Sequence, residues 1–129
     1  MLAGFTWVLA SRTISNKTAW PEPTFEERLR KVNNVMLLVK LKDPVARKSF
    51  WVSTYHMPCQ FWDEQAMVAY ASLCKKQIFR LAKNDPVIFA GDFNSRPESP
   101  SYHALTQRDP PEGYGDLMIS GKALLPLRS

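Results

Sequence analysis

The chain has 129 residues, 45% of them hydrophobic and 22% charged, a balance that excludes a disordered or fibrous polypeptide and fits one globular core. Seventeen Lys and Arg against twelve Asp and Glu leave a formal charge of +5, which favours a polyanionic ligand such as nucleic acid or a phosphorylated lipid headgroup. The densest basic groups, Arg28, Arg30, Lys31 and Lys75, Lys76, Arg80, Lys83, are interrupted by other residues and read as solvated faces rather than as a basic tract.

Residues 1–10 are apolar but have no basic start, and Arg12 follows almost at once; neither a signal peptide nor a membrane span fits. Within them, residues 5–10 alternate as a short half-buried strand does, with Phe5, Trp7 and Leu9 on one side. Residues 11–27 are polar, carry Pro21 and Pro23, and read as a surface loop.

Residues 33–42 are apolar on both faces until Lys40 and predict a central strand covered from two sides. Asp43-Pro44 breaks it, and residues 49–56 follow as the second arm of a hairpin. Phe50, Val52, Thr54 and His56 fall on one face of that arm, and Trp51, Ser53 and Tyr55 on the other. Two cysteines, Cys59 and Cys74, make neither a disulfide framework nor a CxxC metal pair, which points to a reducing intracellular compartment such as the cytoplasm.

Asp63 caps a predicted helix reaching Lys83, because Met67, Tyr70, Ala71, Cys74, Ile78, Leu81 and Ala82 recur at helical spacing. Lys75, Lys76, Arg80 and Lys83 lie on its other face, toward the end where the helix dipole favours cations. Asn84-Asp85-Pro86 ends it. Residues 87–90 then have no polar interruption and predict an interior strand. Gly91-Asp92-Phe93-Asn94 follows at its C-terminal end, where open α/β sheets place ligands. Ser99-Pro100 supplies an N-cap and a first-turn proline for a short helix to about Thr106. Beyond Pro111 the sequence assigns no element.

Asp92 and Asn94 are two apart, so in an extended segment both point to one side and Phe93 points back into the core. A carboxylate there can position or deprotonate water, or hold a cation, and an amide can donate to a phosphoryl oxygen. The same two residues also suit a simple Asx turn after a strand. His56, followed by Met57-Pro58, could stabilise or protonate a phosphoryl oxygen, although a lone strand-end histidine is more often a structural residue. His103 lies inside the short polar helix.

The succession Thr54-Tyr55-His56-Met57-Pro58, a helix, then Val87-Ile88-Phe89-Ala90-Gly91-Asp92-Phe93-Asn94-Ser95 with Arg96-Pro97, Ser99 and Tyr102 resembles the middle of the endonuclease/exonuclease/phosphatase, or DNase I-like, superfamily. Its last residues look most like the deadenylase and 2′-phosphodiesterase branch. The resemblance implies an α/β chain of the α+β sandwich type, a partial DNase I-like four-layer sandwich with mainly one sheet and flanking helices. By position it assigns His56, Asp92 and Asn94 to the active site and Asp92 to a metal. It implies Mg²⁺ or Mn²⁺ as cofactor and a hydrolase acting on nucleic acid, with two alternatives: a phosphatase for phosphoinositides or other small phosphoesters, and an inactive fragment that binds a ligand or a partner chain.

The family pattern also calls for an Asn on a first strand, a metal-binding Glu in a Gln-Glu motif and a C-terminal Asp-His pair. Glu22, Glu26, Glu27, Glu64, Glu98 and Glu112 stand in other contexts, and the sequence closes on Arg128-Ser129. Residues 1–129 are therefore expected to be a partial domain lacking an N-terminal half and the Asp-His segment. One aspartate gives weak support to Mg²⁺, which takes several carboxylate, water and phosphate oxygens.

Overall fold

A computed structural model describes residues 5–7, 23–116, 118–119 and 122–123. It contains strand β1 (Phe5–Trp7), helix α1 (Phe25–Leu29), strands β2 (Met36–Lys42) and β3 (Ser49–His56), helix α2 (Glu64–Ala82), strand β4 (Val87–Asp92), helix α3 (Pro100–Thr106) and a small pair, β5 (Met118–Ile119) and β6 (Lys122–Ala123). The main sheet runs β1-β2-β3-β4, antiparallel up to β3 and parallel between β3 and β4. None of the described helices is long and apolar enough to cross a membrane.

Two local signals set the β2/β3 hairpin. Asp43 Oδ1 accepts from the Val45 and Ala46 amides, and Arg47 takes a positive φ of 55°, so the chain reverses and Asp43 N–H donates to Lys48 O at 2.9 Å. β3 and β4 must then be parallel, because a nineteen-residue helix carries the chain back between them; such crossovers join parallel neighbours.

Alternation along the strands decides which sheet face is covered. Met36, Leu38 and Trp51 are buried and pack with Cys74, Ile78 and Ala82 of α2, and Ser53, paired with Leu38, is buried as well. The N-terminal half of α2 builds a second cluster with Leu29, Met57 and Ala104. The opposite sheet face carries Leu37, Val39, Leu41, Phe50, Val52 and Ile88, and is only partly covered. Among the described residues β2 is thus central in the sheet but fully covered on one face only, which corrects the expectation of two covered faces. β4 is likewise no interior strand: among the described residues it pairs with β3 alone, and Ile88 is 58% exposed.

The expected loop over residues 11–27 is corrected at its end, where α1 begins. Thr24 Oγ1 accepts from Glu27 N–H while the Glu27 carboxylate accepts from Thr24 N–H, a reciprocal capping box. The Thr-x-x-Glu spacing was the available signal, but five residues are too few to show a period. Residues 8–10 of the expected first strand and residues 11–22 of the expected loop lie outside the described residues.

Lys75 is not on a solvated face. Its Nζ donates to Ala104 O at 3.0 Å and to Gln107 O, closing the C-terminal carbonyls of α3, and burial pulls its pKa down. Neighbouring Cys74 is buried, and its thiol is pushed up to about 12, chiefly by burial. Cys59 is exposed. Since the thiolate is the reactive form, iodoacetamide at neutral pH should modify the folded chain once, at Cys59, and the denatured chain twice. Intact mass measurement reads both numbers, and rapid double labelling of the native chain would contradict the packing.

Candidate functional site

The parallel pairing of β3 and β4 places their C-terminal ends side by side. His56 is in register with Asp92, and both lie on the sheet face turned away from α2. Their side chains are 72% and 67% exposed, with His56 Nε2 3.9 Å from Asp92 Oδ2. That separation is an ion-pair contact when the imidazole is protonated, but too long for a hydrogen bond.

Gly91 makes this approach possible. Its φ is +149°, and a Cβ built on it would meet Tyr55 O at 2.0 Å. Only glycine fits there, and the ladder continues one step further, with Met57 N–H donating to Asp92 O at 2.8 Å.

Beyond Asp92 the extended geometry expected from the two-residue spacing gives way. Asn94 has a φ of 46°, and its N–H donates to Asp92 Oδ1 at 3.0 Å, so the Asx turn is present. Asn94 Nδ2 donates to Met57 O at 2.7 Å, which ties the loop to the end of β3. Asp92 and Asn94 are neighbours through a turn rather than through strand alternation. Phe93 does point inward, packing on the α2 cluster and meeting the Phe89 ring at 4.7 Å between centroids.

The three expected residues therefore gather at one sheet end. Asp92 Oδ1 is occupied by a backbone N–H and Oδ2 faces His56; Asn94 retains one amide hydrogen beyond its bond to Met57 O. His103 sits on α3, in its last turn. Sequence reasoning missed Asn34, whose Nδ2 donates to His56 O at 2.7 Å and fixes the backbone that carries the imidazole. Its position just before β2, opposite the end of β3 in the hairpin, was the signal for it.

The donor set does not fit a resident divalent metal. Among the described residues no three His, Cys, Asp or Glu side chains come together as a metal shell, whereas Mg²⁺ requires near-octahedral oxygen coordination. Asp92 offers a single carboxylate, and its Oδ1 already accepts from Asn94 N–H.

The order of elements, the mixed sheet and the loop at the β4 end are those of a partial DNase I-like fold. No protein-family model and no curated protein matches the sequence. Among solved structures, the chain is similar to the human Nocturnin catalytic domain with bound sulfate anion, at 22% identity and a TM-score of 0.53, over 57% of this chain and 28% of that one. It is also similar to an endonuclease/exonuclease/phosphatase family protein from Bacteroides thetaiotaomicron, at 22% identity and a TM-score of 0.54, over 81% of this chain and 34% of that one. The chain thus spans about a third or less of the length of these two structures, and what it shares with them is the fold.

Proposed function

We propose that the chain carries part of the active site of a phosphoester hydrolase of the endonuclease/exonuclease/phosphatase lineage, acting on nucleic acid. The observation that supports this reading best is the register of His56 with Asp92 at the C-terminal end of two parallel strands. An exposed carboxylate can orient or deprotonate a water for attack on phosphorus, and a neighbouring imidazole can stabilise or protonate a phosphoryl or leaving oxygen. The free amide hydrogen of Asn94 can donate to a phosphoryl oxygen as negative charge develops. The sulfate of the human Nocturnin structure is an anion of the same shape as a phosphoryl group, which agrees with a fold suited to such ligands.

One carboxylate does not hold Mg²⁺ or Mn²⁺, so further ligands have to complete the site. The test is a substrate profile of the complete hydrolase with either metal supplied, comparing single-stranded oligonucleotides with inositol polyphosphates, and with its Asp92→Ala variant as the blank. Oligonucleotide hydrolysis above that blank is expected. Hydrolysis of inositol phosphates alone would move the reading to the small-phosphoester alternative. A blank-level rate with every substrate would leave the chain a binding module.

A further inference from the structure

The site end of the sheet carries a second feature that the hydrolytic chemistry does not use. Phe61 and Trp62 are 65% and 82% exposed, although residues of this size normally contribute to a core. They occupy the middle of the turn between β3 and α2. A crossover helix starts at the edge where its preceding strand ends, so this turn lies at the same edge as His56, Asp92 and Asn94. Phe61 is five residues after His56, and its Cα is within about 18 Å of it on chain length alone.

The exposure is held in place. Asp63 N–H donates to Gln60 O at 2.9 Å, closing the turn around the two aromatics. On one side Gln60 N–H donates to Met67 Sδ at 3.3 Å. On the other, Asp63 caps α2 through Ala66 N–H and lies 3.3 Å from Arg28 Nε. With the turn fixed on both flanks, little backbone freedom is lost when a flat ligand stacks on the two rings.

We propose that Phe61 and Trp62 form a stacking platform for the bases of a single-stranded nucleic acid, an inference that rests on the phosphoester reading of His56 and Asp92. Aromatic side chains stack on any base through its π-face, but only where the base is not already covered in a duplex. One cation on this edge is available to a phosphate of the same strand. Arg96 is exposed two residues past Asn94 and makes no ion pair among the described residues. Of the nearby acids, Glu64 accepts from Tyr114 Oη at 2.6 Å and Glu98 stands in the same loop as Arg96.

The experiment compares binding of the full chain to a fluorescent single-stranded oligonucleotide and to an abasic strand of the same length, by anisotropy at fixed ionic strength. The base-bearing strand should bind about 5- to 100-fold more tightly. Trp62→Ala should remove most of that preference and the Phe61→Ala/Trp62→Ala pair all of it, with abasic binding unchanged, while Trp62→Phe keeps most of it. Equal affinity of the native chain for both strands, or a preference that survives the double substitution, would overturn the platform. So would Trp62-dependent binding to phosphatidylserine vesicles without base-dependent binding. The Asp92→Ala chain should keep the base preference; a preference found there without any hydrolysis in the native chain supports the platform and removes only the hydrolytic reading.

Discussion

Gly91→Ala is expected to unfold the sheet end on which the candidate site stands. The added methyl would lie 2.0 Å from Tyr55 O on the neighbouring strand and 2.9 Å from Tyr55 C and N, which is backbone and cannot swing aside as a side-chain tip can. Positive φ adds its own strain, roughly 1–3 kcal/mol for a residue with a side chain. Forcing the strands apart adds overpacking of similar size, roughly 1–3 kcal/mol. A total loss of about 2–6 kcal/mol is a large share of the stability of any domain. The separation would also break the Met57 to Asp92 backbone bond and the His56–Asp92 register. Urea titration followed by circular dichroism should show a large fall in the midpoint at unchanged slope. A substituted chain as stable as the native one would mean that β3 and β4 do not approach as described.

Much of this architecture could be read from the amino-acid order, for reasons that differ by element. The bounds of β3 and the cap of α2 were visible because each combines a long periodic pattern with a sharp stop signal, Met57-Pro58 and Asp63. The gathering of His56 with the Asp92 loop followed from topology, since a strand, a long helix and a strand bring two C-terminal ends together. Coverage was not legible. An apolar strand records that its side chains can be buried, not that another layer is present, so Leu37, Val39 and Ile88 misled on β2 and β4. Lys75 misled in the opposite sense: helical spacing placed it among solvated cations, while its stem lies along the packed surface and its ammonium reaches carbonyls on α3, an arrangement long lysines allow and periodicity cannot show. At Asn94 two local geometries competed, and the left-handed backbone that asparagine tolerates prevailed over strand alternation.

The exposure of His56 and Asp92 makes a catalytic role separable from a structural one. With side chains about two-thirds or more in solvent, their contact is screened by water, and pairs of this kind contribute little to stability. Substituting either by Ala should therefore leave the urea midpoint nearly where it was. If the two act together on one phosphoryl group, each single substitution should lower the turnover of the complete hydrolase by on the order of 10²- to 10⁴-fold. The double substitution should then fall little further, because residues that act as a unit are strongly non-additive. Independent roles predict the opposite, a double loss equal to the product of the single ones. A third pattern, lost stability in step with lost turnover, would make the pair a strand-end clasp. Asn34→Ala sharpens the distinction: its amide holds His56 O rather than the imidazole, so it should lower turnover through misplacement of His56 and have no further effect once His56 is Ala. Measuring hydrolysis and urea midpoints across these variants distinguishes the three arrangements, and retained turnover in both His56→Ala and Asp92→Ala would remove the chemistry from this end of the sheet.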